Sequence, residues 1–307
     1  MIVTVTFNPA LDYFVTLDEL KISGTNRTQY EKLIAGGKGI NVSLMLSHLS
    51  VPSTALGFTA GFTGQELIRQ LQQEKISTDF IHCRNGMTRI NVKIHAEQET
   101  EINGQGPQIS DEELQMLKYK IEKLGPEDIL ILSGNVPSSV PYPFVHELLE
   151  AAASRHVSLI VDCDGPLLED CLAYHPFLIK PNELELSHLI HDPELPLERA
   201  IERLRAIGAE NILLSQGERG SLYFSKNGKV YHQKPVQGRL VSSVGAGDSM
   251  VAGFVAGLME GLDEMECHRL AAACGSATAF SEGIADLTMV QNLLPQIEIL
   301  EENELKN

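Results

Sequence analysis

Apolar residues form a short run at the start of the chain and then alternate with polar residues. Residues 2–7 are a β-branched run that stops at Asn8, which predicts a strand. In residues 90–95, apolar and polar side chains alternate, which is the period of a strand with one buried and one solvated face. We therefore expect residues 11–34 and about 88–105 to form a small sheet that covers another part of the molecule.

From about residue 110 onward, short apolar strands alternate with helical segments, which is typical of βαβ units and a mostly parallel sheet. Ser110 and Glu113 have the spacing of a capping box and predict a helix that ends near residue 124. The predicted strands are 128–132, 159–161, 177–180 and 211–215, followed by a hairpin over 221–235. The other predicted helices are 143–155, 167–173, one from Glu183, 197–207, 246–260 and 265–280.

This order of elements predicts an α/β fold: a doubly wound, mostly parallel sheet with helices on both faces. We expect a single domain over residues 1–307, with the small sheet inserted in it as a lid. Ligands of such sheets bind beyond the carboxyl ends of the strands, so the loops that follow strands are the candidate sites.

The charge balance limits the possible partners. The chain has 41 acidic and 24 basic residues, a net charge of −17, which disfavours binding to nucleic acid or to an anionic membrane surface. No apolar run approaches the roughly 18 residues of a membrane span, and the first residues do not resemble a secretion signal. We therefore expect a cytoplasmic protein that binds small molecules.

A glycine-rich turn, Gly245-Ala246-Gly247-Asp248, leads directly into a predicted helix. Small residues allow the free N–H groups of a helix start to converge on an anion, and the helix dipole adds positive potential there. A carboxylate in the same turn can accept the proton of an attacking hydroxyl, an arrangement that suits phosphoryl transfer. In the alternative interpretation, Asp248 only caps the helix, and the turn alone does not decide between the two. Neither GxxxxGK[ST] nor GxGxxG is present, which disfavours a P-loop NTPase and a Rossmann dehydrogenase.

A second glycine-rich loop, residues 35–41, precedes another predicted helix. Its glycines allow a polyhydroxylated ligand to approach the backbone, and Asn41 can donate and accept hydrogen bonds to neighbouring hydroxyls. Lys38 offers a positive charge. The alternative is an ordinary tight turn.

Basic residues concentrate around this loop. Residues 21–38 contain one acid, Glu31, and four basic residues: Lys21, Arg27, Lys32 and Lys38. Together with Arg89, which can bind phosphate oxygens in a bidentate manner, they predict a small anionic ligand. A solvated strand face with ordinary basic residues is the alternative.

Two further loops follow predicted strands. Asn182 and Glu185 are three residues apart at a helix start, where both can face the water shell of Mg²⁺, although an exposed helical acid is the alternative for Glu185. Residues 215–220 are rich in glycine and form either a backbone contact to a nucleotide or merely a turn.

Taken in order, these segments resemble the PfkB carbohydrate kinase family, which has the ribokinase-like fold. The resemblance rests on GGKGIN at 36–41, VGAGDSMVAGF at 244–254 and the NxxE motif at 182–185. NPALD at 8–12 and TRINVK at 88–93 are most similar to the bacterial 1-phosphofructokinases of that family. The resemblance implies transfer of the ATP γ-phosphoryl group to the 6-hydroxyl of D-fructose 1-phosphate, giving fructose 1,6-bisphosphate. A tagatose-6-phosphate kinase, or another phosphosugar kinase, is the alternative.

The resemblance also implies a role for individual residues. Asp248 would be the catalytic base, and the anion hole would be formed by Gly245, Ala246 and Gly247. The sugar hydroxyls would be bound by Asp12, Gly37 and Asn41, and the substrate phosphate by Arg27, Lys38 and Arg89. The nucleotide site would include Lys180, Asn182, Ser215, Gly217, Gly220 and Ser243 together with Gly245 and Gly247. Glu185 would contact Mg²⁺ through water. ATP and Mg²⁺ are thus the implied cofactors, and a homodimer formed through the lid is the implied assembly.

Overall fold

Strands and helices alternate along most of the chain, which the computed structural model describes for residues 1–163, 165–192 and 194–302. Within these ranges the strands are β1 (Ile2–Thr6), β2 (Ala10–Thr16), β3 (Tyr30–Gly36), β4 (Thr54–Ala60), β5 (Ser77–Thr78), β6 (Ile81–Cys83), β7 (Arg89–His95), β8 (Thr100–Asn103), β9 (Ile129–Ser133), β10 (Ser158–Asp162), β11 (Leu178–Ile179), β12 (Asn211–Ser215), β13 (Ser221–Phe224), β14 (Val230–Gln233) and β15 (Ile299–Glu302).

The helices are α1 (Lys38–His48), α2 (Gly61–Gln73), α3 (Asp111–Ile121), α4 (Tyr142–Ala153), α5 (Gly165–Leu172), α6 (Glu183–Ile190), α7 (Leu197–Ile207), α8 (Ala246–Met259), α9 (Glu264–Ala279) and α10 (Leu287–Leu293). The predicted helices after residue 110 agree with these bounds to within a few residues. The capping box of Ser110 and Glu113 is present at the start of α3. No helix in the described ranges is long and apolar enough to cross a membrane.

The main sheet has the strand order β15-β14-β13-β12-β11-β10-β9-β1-β4-β5, with β6 beside β4. The seven neighbouring strands β12, β11, β10, β9, β1, β4 and β5 pair in parallel. At the other end of the sheet, β12, β13, β14 and β15 pair antiparallel. After β1, the chain adds β4 and β5 to one side of that strand. From β9 onward, it adds strands to the other side of β1. The reversal lies between β1 and β9, and this is where ligands bind in open α/β sheets.

Helices cover both faces of this sheet. Because side chains of a strand alternate between the faces, Leu130 and Leu132 pack with one set of helices and Ile131 with the other. Residues of α3, α4 and α5 belong to the first core, and residues of α1, α8 and α9 to the second. The prediction of a doubly wound, mostly parallel sheet is thus confirmed.

A separate sheet of four strands has the order β3-β2-β7-β8. Strand β2 is antiparallel to β3 and parallel to β7, and β8 is antiparallel to β7. We call it the small sheet. A separate small sheet is thus present, and both predicted segments contribute strands to it; that it forms a lid stays a prediction.

The structure differs from the sequence prediction at residues 50–87 and 177–180. Residues 50–87, to which no element was assigned, contain β4, α2, β5 and β6. The strand predicted over 177–180 is reduced to the two residues of β11. The last residues of the predicted domain, 303–307, lie outside the described part of the chain.

Candidate active site

Five polar side chains meet at the carboxyl ends of the parallel strands. Asp162 ends β10, Lys180 follows β11, Lys38 and Asn41 lie in the first turns of α1, and Asp248 lies in the first turn of α8. Asn41 Nδ2 donates a hydrogen bond to Asp248 Oδ2 at 2.7 Å. The Nζ atoms of Lys180 and Lys38 lie 3.3 and 3.8 Å from Asp162 Oδ1. We call these five residues the polar cluster.

The start of α8 places Asp248 in the cluster. The residue that precedes the helix is Gly245, in a left-handed conformation with φ 80°, and no side chain caps the helix. Asp248 is only 5% exposed and turns to Asn41 instead. The alternative interpretation, in which Asp248 is a helix cap, is therefore wrong.

Burial and charge give the two acids of the cluster opposite protonation behaviour. Burial raises the pKa of Asp248, the negative charge of Asp162 raises it further, and the value is about 7. Burial would also raise the pKa of Asp162, but the ammonium groups of Lys180 and Lys38 lower it below its usual value. Asp162 is thus the permanent anion, and Asp248 can gain or lose a proton near neutral pH, as a general base requires.

Lys38 remains positively charged in this environment. Burial acts to lower the pKa of Lys38, but the charges of Asp162 and Asp248 outweigh it, and the pKa is raised. Glu185 contributes to the same rise. Lys38 therefore offers a fixed cation next to Asp248.

The glycine-rich turn at α8 has the features of an anion site. Ala246 N donates to Ser243 O at 3.3 Å, and the amides of Gly247 and Asp248 follow in the first turn, where a helix provides no acceptor. A Cβ placed on Gly247 would lie 2.9 Å from Lys180 Nζ, so the Lys180 ammonium borders the turn. Free amides, the helix dipole and an ammonium group together attract a phosphate.

The small sheet contributes a second group of polar residues. Asp12 packs so closely on Gly36 that a Cβ on this glycine would collide with Asp12 Oδ2. Asn91 Nδ2 donates to Asp12 Oδ1 at 2.8 Å, and Arg89 Nε donates to Asn8 O at 3.1 Å. The strand register pairs Asp12 with Asn91 and Ala10 with Arg89, so these polar side chains share one face of the sheet.

The predicted basic patch is only partly assembled in the single chain. Lys38 belongs to the polar cluster, and Arg89 lies beside Asp12. Lys21, Arg27 and Lys32 are exposed, and the Arg27 side chain makes no hydrogen bond or ion pair with the described residues.

Asn182 and Glu185 form a capping box at the start of α6. Glu185 N donates to Asn182 Oδ1, and Asn182 N donates to Glu185 Oε2, both at 2.8 Å. The side-chain oxygen of Asn182 is thus occupied, whereas Glu185 Oε1 takes no part in the capping box. Glu185 is half-buried, and its negative charge contributes to the raised pKa of Lys38. Among the described residues no three His, Cys, Asp or Glu side chains converge on one point as direct metal ligands. Glu185 Oε1 could contact the water shell of a bound Mg²⁺.

The remaining predicted nucleotide residues lie along the same edge of the sheet. Ser215 N donates to Pro181 O at 3.0 Å, which joins the end of β12 to the residue before Asn182. Gly217 and Gly220 belong to the turn that follows, closed by a bond from Gln216 N to Gly220 O. Ser243 is exposed just before the glycine-rich turn of α8.

Sequence reasoning missed two residues of the site, Asp162 and Asn91. Asp162 is an acid at the carboxyl end of an otherwise apolar strand, which is a usable signal once that strand is predicted. Asn91 occupies a polar position of the alternating pattern in β7, where nothing but its partner Asp12 distinguishes it from its neighbours.

Comparison with known proteins gives one consistent family. Residues 6–290 match the model of the pfkB family carbohydrate kinases. The 1-phosphofructokinase of Bacillus subtilis (strain 168) is 41% identical over 302 residues, which cover 97% of this chain and 99% of that protein. The D-tagatose-1-phosphate kinase of Bacillus licheniformis is 41% identical over 303 residues, with the same coverage. The crystal structure of phosphofructokinase-2 from Escherichia coli in complex with substrates and products superposes with a TM-score of 0.90 at 27% identity, covering 96% of this chain and 98% of that one.

Proposed function

The chain belongs to the pfkB family of carbohydrate kinases, and we propose that it uses ATP to phosphorylate the 6-hydroxyl of D-fructose 1-phosphate, giving fructose 1,6-bisphosphate. The observation that carries the chemistry is the buried carboxylate of Asp248, hydrogen-bonded to Asn41 beside an anion-binding turn. The similarity to a 1-phosphofructokinase over nearly the whole chain supports the choice of sugar.

In this reaction Asp248 acts as the general base. The 6-hydroxyl oxygen attacks the γ-phosphorus of ATP, its proton passes to the Asp248 carboxylate, and the bond to the leaving oxygen of ADP breaks. The pKa of Asp248, about 7, allows it to accept this proton at physiological pH. The turn formed by Gly245, Ala246 and Gly247 would bind the transferred group through those backbone amides that its own hydrogen bonds leave free, and Lys180 would neutralise part of its charge.

The phosphosugar would lie between the polar cluster and the small sheet. Asn41 uses its amide nitrogen on Asp248, so its oxygen can accept a hydrogen bond from a sugar hydroxyl. Asp12 and the backbone at Gly37 would bind further hydroxyls. Lys38 and Arg89 would bind the 1-phosphate, and Arg27 would join them if the segment between β2 and β3 closes over the sugar.

The nucleotide would lie along the neighbouring strand ends. Its proposed contacts are Lys180, Asn182, Ser215, Gly217, Gly220 and Ser243, and Glu185 would hold Mg²⁺ through water. When bound, Mg²⁺ would neutralise charge on the ATP phosphates.

D-Tagatose 1-phosphate is a second candidate substrate, because a relative of equal identity is named for it. That name places the phosphate on C1, whereas the alternative drawn from the sequence was a sugar phosphorylated on C6. Fructose and tagatose differ only in the configuration at C4, so the two candidates require the same catalytic residues.

A coupled ADP-release assay over fructose 1-phosphate, tagatose 1-phosphate, tagatose 6-phosphate, fructose 6-phosphate and free fructose tests the proposal. We expect the highest kcat/KM for fructose 1-phosphate. A higher value for tagatose 1-phosphate would transfer the assignment to that sugar. Equal turnover of free fructose would contradict the phosphate-binding role of Lys38 and Arg89.

We further propose that two chains pair through the small sheet. Leu33, Tyr13, Val92 and Ile102 lie in register across its four strands, and the two ends of this row, Leu33 and Ile102, are 38% and 58% exposed. A second copy would cover this apolar row. We place the enzyme in the cytoplasm, where ATP is supplied.

A further inference from the structure

Asn91 is a buried amide that the reaction outlined above does not use. It lies in β7, opposite Asp12 of β2 and Asn103 of β8. Its side chain is nearly inaccessible, since the residue is 7% exposed. Asn91 Nδ2 donates to Asp12 Oδ1 at 2.8 Å, while Oδ1 of the same amide is buried and accepts no hydrogen bond from the described residues.

An unpaired buried carbonyl oxygen lowers the stability of a protein. A leucine has the same number and branching of side-chain heavy atoms as an asparagine and avoids this cost, although its methyl groups are bulkier than the amide. What the asparagine provides in exchange is a donor for one oxygen of the Asp12 carboxylate. Such an exchange of stability for the position of a polar group is typical of functional sites.

The position of Asp12 matters because of Arg89. Arg89 lies on the same face of the small sheet, two pairs along the register from Asp12. Burial lowers the pKa of Arg89, and the charge of Asp12 acts in the opposite direction, so the two side chains interact. A free Asp12 carboxylate could turn to the Arg89 guanidinium. The resulting ion pair would occupy the two groups that the proposed function assigns to sugar hydroxyls and phosphate.

We propose that Asn91 is a positioning residue for the phosphosugar: it holds Asp12 against Gly36 and leaves the Arg89 guanidinium available to the substrate phosphate. This inference rests on the proposed function, because it requires a ligand that carries both hydroxyls and a phosphate.

Substitution Asn91→Leu tests the inference. We expect KM for fructose 1-phosphate to rise about ten- to a hundredfold, the effect of one charge-assisted hydrogen bond. KM for ATP should change by less than about twofold, because the nucleotide residues lie on other elements. The melting temperature should change little, because removal of the unpaired buried oxygen raises stability while the bulkier methyl groups lower it. Asn103→Leu is the matched control, because Asn103 is the exposed cross-strand neighbour of Asn91, and it should leave both KM values unchanged.

Two further measurements separate positioning from a merely structural role. Asn91→Thr, which suits a strand and keeps a hydroxyl donor, should give an intermediate KM for the sugar phosphate. In an Asp12→Ala background, Asn91→Leu should add little to the rise in KM, because its effect passes through Asp12.

The inference is overturned by an unchanged KM for the sugar phosphate in Asn91→Leu or, if that variant does not fold, in Asn91→Thr. Equal rises in both KM values, or additive effects of Asp12→Ala and Asn91→Leu, would also overturn it. The wild-type panel tests the proposed function separately. If another ketose phosphate is the best substrate, the comparison is made with that sugar; if no sugar phosphate is turned over, both proposals fail.

Discussion

At the residue scale, the protonation of Asp248 depends on its buried neighbours. Its pKa is about 7 because burial and the charge of Asp162 both raise it. A base must be deprotonated to act, so we expect kcat/KM to increase with pH up to about pH 7 and then to level off.

Asp162→Asn should move the midpoint of this increase to lower pH. The substitution removes the negative charge that raises the pKa of Asp248, whereas the positive charges of Lys38 and Lys180, which lower it, remain. The measurement is the pH profile of kcat/KM for fructose 1-phosphate. Asp170→Asn, on α5 and outside the polar cluster, is the control that should leave the midpoint unchanged. An unmoved midpoint in Asp162→Asn would refute this electrostatic account.

The sequence predicted some of these residues and not others for a physical reason. Lys38, Asn41 and Asp248 stand in glycine-rich loops before helices, a pattern with a direct chemical meaning. Asp162 and Asn91 matter because of neighbours on other strands, and a single sequence does not show the strand order or the register that bring these neighbours together.

At the element scale, the start of α8 depends on a left-handed glycine. Alanine at Gly245, with φ 80°, is strained, and its Cβ would lie 2.5 Å from Ile284 Cδ1. Gly261 has a similar φ of 73° but no atom within 4 Å of such a Cβ. We expect Gly245→Ala to reduce kcat about a hundredfold by displacing the amides that are proposed to bind the transferred group. Gly261→Ala should lower only the melting temperature. Equal activity of the two variants would contradict the role of the turn.

The capping box of α6 allows metal binding to be separated from helix stability. Glu185→Gln keeps an oxygen that can accept the Asn182 N–H, so the melting temperature should change little. Loss of the charge should raise the Mg²⁺ concentration for half-maximal activity about tenfold. Glu113→Gln alters the other capping box, at α3, and should leave the Mg²⁺ requirement as in the wild type. An unchanged requirement in Glu185→Gln would remove Glu185 from the metal site.

At the scale of the whole molecule, the apolar row across the small sheet predicts a dimer. Light scattering after size exclusion should give twice the chain mass of 33.7 kDa. Ile102→Glu, at the exposed end of the row, should shift the mass towards one chain, whereas Met116→Glu, at a similarly exposed apolar position on α3, should not. A monomeric wild-type protein would exclude pairing through this face.

The overall fold was predictable where strands and helices alternate, after residue 110, and much less so over residues 50–87. In β4 the reason is visible: a Cβ on Gly57, with φ 146°, would collide with Thr6 O of the neighbouring strand. Close packing of β1 and β4 requires a glycine at this position. In the sequence alone, however, a glycine inside an apolar run indicates an interruption of the strand. The pairing of β2 with β7 joins residues nearly eighty positions apart, which the alternating pattern of either strand does not reveal.

The central claim is that the Asp248 carboxylate removes the proton of the attacking hydroxyl. The most direct test is the kcat of Asp248→Asn with saturating ATP and fructose 1-phosphate, together with its Kd for the sugar phosphate. We predict that kcat falls by about 10²- to 10⁴-fold while Kd changes by no more than a few fold, because the amide keeps the size of the carboxylate but does not accept the proton. A variant that turns over at nearly the wild-type rate would contradict the account.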